Sequence, residues 1–205
     1  MGIDLNSLNF LRFCKKNHGD FGRTIMLGRH GIHITEKIAT DDFSRNIVLQ
    51  AMQNNEYFID ETLKRLFGST SVDSMDFSDY EGASIIHDLN TPIIECFPHF
   101  DTVIDAGTTE HIFDVSTAIK NVMDLCAVGG KIIHILPANN YCGHGFWQFS
   151  PELFWDLYSP ENGFESTEIF LVKIGYPKKW FQLTELAHGG RANFFSKSRV
   201  QLLVK

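Results

Sequence analysis

The sequence FDTVIDAGTTEHIFDVSTAIKNVMDLCAVGGKIIHILP, residues 100–137, decides the fold class. Near its ends, residues 102–106 and 131–136 are short, apolar and β-prone, which is typical of buried strands. Between them, the apolar spacing of residues 115–126 predicts a helix, and Gly129-Gly130 supplies the turn that follows it. A strand, a helix and a strand in this order predict a right-handed parallel crossover, and hence an α/β fold.

Further elements flank this unit on both sides. Apolar residues at near-helical spacing predict an N-terminal helix within residues 1–20, and the apolar run 24–27 before Gly28 predicts the first buried strand. Helical patterns at 42–53 and 56–67, the second closed by Gly68, predict a helical insertion or lid at 40–68. Pro137 is expected to end the strand at 131–136, because proline lacks the donor for the ladder. The remaining elements predicted are strands at 72–75, 84–87, 166–174 and 199–204 and a short helix at 151–158.

Composition bounds the class of protein. A chain of 205 residues, 43% of them hydrophobic, predicts one domain spanning 1–205. A net charge of −7 without a run of lysine or arginine argues against nucleic acid and acidic membrane surfaces as partners. The four cysteines stand far apart without a CxxC pair, and the N-terminus lacks an uninterrupted apolar segment. We therefore expect a cytoplasmic protein in a reducing compartment.

Residues 100–158 resemble the second half of class I S-adenosylmethionine-dependent methyltransferases. In that family a strand ends in an acidic residue and a short loop, often containing Glu-His, before a helix and a Gly-Gly turn. Here the sequence DAGTTEH at 105–111 holds the fourth-strand position, and IIHDLN at 85–90 resembles the third-strand site. The resemblance implies a Rossmann-like, doubly wound, mostly parallel sheet with an antiparallel closing strand, and S-adenosylmethionine as cofactor.

The resemblance also implies the residues that hold the cofactor. Asp76, at the end of the second strand, would accept the ribose hydroxyls, and Asp88 with Leu89 would face the adenine. Asp105 and Gly107 would lie beside the amino-acid part of the cofactor. Alternatives remain open, namely that Asp76 or Asp88 caps a turn and that Asp105 holds a neighbouring loop by hydrogen bonds.

The loop after the first strand departs from the family pattern. Where the family carries a GxGxG-like loop, this chain reads Gly28-Arg29-His30-Gly31. Gly28 and Gly31 still permit a tight loop beside the cofactor, whereas Arg29 either changes its pose or reaches its carboxylate.

His144 and His111 are the candidates for the general base, because imidazole titrates near neutrality and both follow strands. The competing interpretation is that each is a solvated or structural loop histidine. The loop around His144 combines glycine, amide and aromatic residues, which suits a pocket wall or, alternatively, a loop held against the core. The residues of this loop predicted to bind the substrate are Asn139, Asn140, Phe146, Trp147 and Gln148.

Other chemistries lack their motifs. His30 and His33 have no carboxylate or thiol at a usual ligand spacing, so no metal site is predicted. The chain has no GxSxG elbow, no GxxxxGK[ST] loop and no GxGxxG after the first strand. These absences argue against hydrolase, nucleotidase and nicotinamide-dependent activities.

Two functions follow from these observations. The first is an enzyme that methylates a small molecule, in particular an oxygen of a natural product or sugar-like intermediate. The second is a non-catalytic methyltransferase-like subunit that binds a partner protein. A homodimer is the assembly to be considered in either case.

Overall fold

An eight-stranded β-sheet forms the centre of the protein. The computed structural model describes residues 2–94, 97–175, 179–184 and 194–205. The strands in chain order are β1 (Gly2–Ile3), β2 (Gly22–Leu27), β3 (Gly31–Ile32), β4 (Ser69–Asp76), β5 (Ile85–Ile86), β6 (Phe100–Asp105), β7 (Cys126–Asn139), β8 (Ile169–Lys173), β9 (Trp180–Leu183) and β10 (Val200–Val204). The helices are α1 (Leu5–His18), α2 (Asp42–Asn54), α3 (Asp60–Phe67), α4 (Val115–Leu125) and α5 (Pro151–Leu157), with single 3-10 turns at Thr109–His111 and Pro160–Asn162.

The strand order confirms the predicted doubly wound sheet. The order is β5-β4-β2-β6-β7-β10-β8-β9, and β2, β4, β5, β6 and β7 pair in parallel. β10 is antiparallel to both of its neighbours, and β8 pairs antiparallel with β9. The chain therefore runs outward from β2 to β5 and returns to β6 on the other side of β2. Ligands of open α/β sheets bind at the carboxyl ends of the strands near such a reversal.

Helices cover both faces of the sheet, which explains why residues 25–27 of the central strand β2 are apolar without alternation. Met26 of β2 packs in the core beneath α1, α2 and α3, whereas Ile25 and Leu27 pack in the core beneath α4 and α5. A strand buried on both faces has no polar side to alternate with. Among the described residues, no helix has both the length and the apolar character that crossing a bilayer requires.

The region predicted as an insertion or lid, residues 40–68, forms two helices of the covering layer. Asp41 and Ser44 form a reciprocal capping box at the start of α2, and Gly68 ends α3 with a φ of 72°. α3 begins at Asp60 rather than at residue 56, because Phe58 bridges to Gly31 and the Ile59 N–H donates to the His30 carbonyl at 3.0 Å. A closing movement of this region over a substrate stays a prediction.

β7 continues beyond Pro137, contrary to the prediction that proline ends it. Pro137 lies opposite Gln201, where the register between β7 and β10 shifts after Val200. The missing N–H therefore falls at an irregularity of the ladder, which is where strands tolerate proline. The turn predicted at Gly129-Gly130, before the strand, lies instead within the span of β7, where Gly129 has a φ of 77°.

A separate two-stranded sheet ties the N-terminus to the loop after β2. β1 pairs in parallel with β3, Gly2 lying opposite Gly31 and Ile3 opposite Ile32. The His33 N–H donates to the Ile3 carbonyl at 2.9 Å. A Cβ at Gly2 would meet the His33 ring in its present position, so glycine lets this imidazole pack directly against β1.

Candidate active site

Two cavities adjoin at the carboxyl ends of the parallel strands. The β4–β5 cavity, of about 410 Å³, is lined by Met75, Asp76, Phe77, His87, Asp88, Leu89, Asn90, Thr108, His111 and Ile112. The β6–β7 cavity, of about 500 Å³, is lined by Gly2, Asp4, Ser7, His33, Ala106, Gly107, Glu110, His111, Ile135, Leu136, Pro137, Tyr141, His144, Ile174, Arg199 and Gln201. Both volumes lie in the range of small-molecule sites, and His111 lines both cavities.

The β4–β5 cavity brings together three residues that the sequence predicted as cofactor ligands. Asp76 ends β4, and Asp88 and Leu89 follow β5. Asp88 Oδ1 accepts hydrogen bonds from the backbone N–H of Asn90 at 2.9 Å and from its side chain at 2.8 Å, and these bonds hold the pKa of Asp88 below its usual range. Two carboxylates beside apolar side chains are complementary to a ligand with hydroxyl or amino groups and a flat ring.

The loop after β2 lies outside both cavity linings, and its role in holding the cofactor stays a prediction. Arg29 pairs with Asp60 at 3.0 Å, donates to the Glu81 carbonyl at 3.1 Å and stacks over the Phe58 ring at 4.2 Å. Its guanidinium is therefore committed to protein groups rather than directed at a cofactor carboxylate.

The two glycines of this loop have local structural roles. Gly31 makes room for Tyr57, because a Cβ at Gly31 would stand 3.1 Å from the Tyr57 ring. Gly28 adopts a φ of 73°, and its N–H donates to the carbonyl of Met75 at 2.6 Å.

His30, in the same loop, is fully buried. Neither of its ring nitrogens has a hydrogen-bond partner within the described part of the chain. Burial disfavours the charged imidazolium, so the pKa of His30 falls from 6.5 to about 4. The ring fills the interior of the loop where a glycine would leave space.

This burial predicts a loss of stability in acid. Between pH 6.5 and about 4 the unfolded chain protonates His30 and the folded protein does not, so the free energy of unfolding falls as the pH falls. The folded and unfolded pKa values of His30 differ by about two to three units. This difference lowers the free energy of unfolding by about 3 kcal/mol between pH 7 and pH 4. Denaturant unfolding of wild type and His30→Leu across this range measures the effect, and the variant should show the shallower decline. Parallel declines in the two proteins would contradict this prediction.

Asp105 shapes the loop after β6, which favours the second of the two interpretations from the sequence. Its carboxylate is fully buried and accepts the backbone N–H groups of Thr108 at 3.1 Å and Thr109 at 3.2 Å. It also lies 2.9 Å from Nδ1 of His134, whose Nε2 lies 2.6 Å from the Tyr158 hydroxyl. Burial alone would raise the pKa of Asp105, but these hydrogen bonds, led by that of His134, hold it below its usual value. An ionised Asp105 thus fixes the position of the following residues rather than presenting a free carboxylate to a ligand.

The loop held by Asp105 places Glu110, His111 and His144 together, and we refer to these three residues as the Glu110 cluster. Glu110 Oε1 lies 3.4 Å from His144 Nε2 and 3.9 Å from His111 Nε2, and the two imidazole rings are 5.1 Å apart. The Phe146 N–H donates to the Glu110 carbonyl at 2.7 Å, and Gly145 packs against the same carbonyl. Burial, followed by the nearby charge of Asp105, raises the pKa of Glu110 to about 8. The two histidines predicted separately as bases therefore share one carboxylate.

The loop after β7 contributes different residues from those predicted. Tyr141 and His144 line the β6–β7 cavity, whereas the five predicted substrate ligands lie outside both linings. Their polar atoms bond within the loop or to neighbouring segments of the chain, and Phe146 packs edge to face with Phe113 at the surface. The contacts concerned are Asn139 Oδ1 with the Asn140 N–H at 2.9 Å, Asn140 Nδ2 with the carbonyls of Ser196 at 2.8 Å and Ser198 at 2.9 Å, Trp147 Nε1 with the Ile112 carbonyl at 2.8 Å, and Gln148 Oε1 with the Tyr141 N–H at 2.9 Å.

Comparison with known proteins gives matches in structure and none in sequence. No family model and no curated protein matches the chain. TehB from Haemophilus influenzae superposes with a TM-score of 0.50 at 12% identity, over 96% of this chain and 60% of TehB. A SAM-dependent methyltransferase from Thermotoga maritima, described as a possible histamine N-methyltransferase, superposes with a TM-score of 0.50 at 12% identity, over 96% of this chain and 86% of that protein. The chain thus spans about three fifths of the length of TehB.

Proposed function

We propose that this chain, which has the fold of class I S-adenosylmethionine-dependent methyltransferases, transfers a methyl group from S-adenosylmethionine to a small molecule. One observation carries the proposal. The β4–β5 cavity holds two carboxylates at strand ends, the β6–β7 cavity holds the Glu110 cluster, and His111 belongs to both. This arrangement suits a donor site beside an acceptor site at the reversal of strand order.

The residues of the β4–β5 cavity fit the adenosyl part of the cofactor. Asp76 would accept the ribose hydroxyls, Asp88 the adenine amino group, and Leu89 would pack against the adenine ring. S-adenosylmethionine, when bound, supplies a methyl group already activated on its sulfonium. Gly107, at a φ of 90°, lines the adjoining cavity and leaves the backbone accessible between the two sites.

The β6–β7 cavity would hold the methyl acceptor. Asp4, Tyr141, Arg199 and Gln201 give its wall several hydrogen-bonding groups, which suits a hydroxylated natural product or sugar-like molecule. Methyl transfer to oxygen depends mainly on alignment, with a base that removes the hydroxyl proton. In a metal-free site His144 is the first candidate for that base and His111 the second.

The alternative function, a non-catalytic subunit that binds a partner protein, is supported by the loop after β2. Arg29 and His30 fill this loop, and Phe113 and Phe146 expose a pair of aromatic rings beside the cavities. Calorimetric titration with S-adenosylmethionine tests both functions. Saturable heat at one site per chain supports the enzyme, and its absence in folded protein supports the subunit.

Asp88→Ala is expected to weaken S-adenosylmethionine binding about tenfold without unfolding the protein, because an acceptor for the adenine amino group is lost. Calorimetry measures the dissociation constant. Asp114→Ala is the matched control, since Asp114 accepts a backbone N–H from Thr117 in the same way but lies outside both cavities. Equal affinities for wild type and Asp88→Ala would remove Asp88 from the site.

A further inference from the structure

We propose that Glu110, His111 and His144 bind one divalent transition-metal ion of the zinc class at the boundary of the two cavities. The binding of this ion goes beyond the proposed function. Its role in activating a methyl acceptor rests on that function. The sequence predicted no metal because its one closely spaced histidine pair, His30 and His33, lacks further ligands, and neither residue belongs to the Glu110 cluster.

The spacing of the three side chains suits a common metal ion. Their ligand atoms all lie within 4.8 Å of one another. Two ligands bound to a tetrahedral zinc at about 2.0–2.1 Å stand about 3.3 Å apart. Glu110 Oε1 and His144 Nε2 already lie at 3.4 Å. His111 Nε2, at 3.9 Å from the same oxygen, needs only a small rotation of a side chain that is 42% exposed.

The carboxylate of Glu110 gives an independent indication of a missing partner. Its side chain is only 1% exposed. Within the described part of the chain, Oε2 is buried without a hydrogen-bond partner. A buried carboxylate oxygen is normally paired or bound to a metal, because its desolvation is costly. A cation that lies between Glu110 and the two imidazoles and is bound by both carboxylate oxygens would supply that partner.

The donor set indicates the chemical class of the ion. Two imidazole nitrogens and one carboxylate oxygen favour zinc, iron or cobalt over magnesium or calcium. Three protein ligands are typical of catalytic sites, which keep a further position open for water or substrate. Here that position would face the β6–β7 cavity, where a hydroxyl group of the acceptor could bind and lose its proton more readily.

The test is metal binding to chelator-treated full-length protein. Titration with Co²⁺, followed by visible absorption, and with Zn²⁺, followed by calorimetry, should give one equivalent per chain. Glu110→Gln, His111→Ala and His144→Ala should each weaken binding by at least about 100-fold, since even residues that only support a ligand contribute about 10- to 100-fold. His33→Ala and Cys142→Ser should bind as wild type, because both lie near His144 but outside the Glu110 cluster.

The proposal would be overturned if His111→Ala and His144→Ala bound Co²⁺ and Zn²⁺ with wild-type affinity. Both side chains are about half exposed, so their replacement by alanine should leave the fold intact. Absence of stoichiometric Co²⁺ and Zn²⁺ binding to wild type would overturn it as well. Titration of the same samples with S-adenosylmethionine separates this proposal from the proposed function. Metal binding without cofactor binding refutes only the methyltransferase, and cofactor binding without metal binding refutes only the metal site.

Discussion

His144→Ala should lower methyl-transfer turnover by about 100-fold or more while the affinity for S-adenosylmethionine stays nearly unchanged. His144 lies 3.4 Å from the buried carboxylate of Glu110 and lines the β6–β7 cavity, the proposed acceptor site, but it is not part of the β4–β5 cavity. Its loss therefore removes a group from the reaction centre and leaves the adenosyl ligands in place. Single-turnover rates with saturating cofactor and a panel of hydroxylated acceptors measure the effect.

His111→Ala is the matched comparison, because His111 faces the same carboxylate at 3.9 Å and lines both cavities. If His144 is the base, chelator-treated wild type keeps its turnover and only His144→Ala loses it. If both histidines are metal ligands, the two variants and the chelated wild type fall together. Full turnover in His144→Ala would exclude both roles for this residue.

Gly28→Val should abolish measurable S-adenosylmethionine binding, a loss of at least about 100-fold. Gly28 has a φ of 73°, which a β-branched residue adopts only at a cost of about 1–3 kcal/mol. Its N–H also donates to the carbonyl of Met75, and the preceding carbonyl, that of Leu27, accepts the Thr108 hydroxyl. Because Met75 and Thr108 line the β4–β5 cavity, a displaced Gly28 would distort the cofactor site.

Gly19→Val separates this effect from general strain. Gly19 also has a positive φ, 80°, and a Cβ at this position would meet no atom within 4 Å, so the variant carries backbone strain of the same origin away from both cavities. Thermal unfolding should show comparable losses of stability in the two variants, and calorimetry should show loss of binding in Gly28→Val alone. Retained binding in folded Gly28→Val would show that the conformation of this loop does not shape the cofactor site.

Local sequence patterns predicted the elements of the fold wherever an element buries a continuous apolar run or one regular apolar face. The apolar run before Gly28, the helical spacing at 115–126 and the closure at Gly68 each predicted an element close to the observed β2, α4 and α3. β9 was not predicted, because Trp180–Leu183 is a short strand at the edge of the sheet with half-exposed side chains and no alternation. Pro137 misled because the irregular pairing opposite Gln201 depends on a strand more than sixty positions away in the sequence.

The positions of candidate-site residues could be predicted where a residue directly follows a strand. They could not be predicted where the conformation of a loop decides which way the side chain points. Asp76 and Asp88 lie together because parallel strands bring their carboxyl ends to one edge. Arg29 and Asn140 have backbone or charged partners of their own, which a sequence does not reveal. Glu110 stands within the DAGTTEH pattern without a predicted role of its own, because its burial against His144 arises only when two loops meet.

The position of β10 has a consequence for biosynthesis. This strand follows every other strand of the sheet in chain order, yet it lies inside the sheet between β7 and β8 rather than at an edge. While a ribosome is still upstream of Val200, β7 has an open flank and the hairpin of β8 and β9 has nothing to dock on. A nascent chain halted there exposes unpaired strand edges, which invite aggregation and chaperone capture. Completion of the sheet therefore waits until β10 itself has been synthesised, because β7 and β8 reach each other only through it.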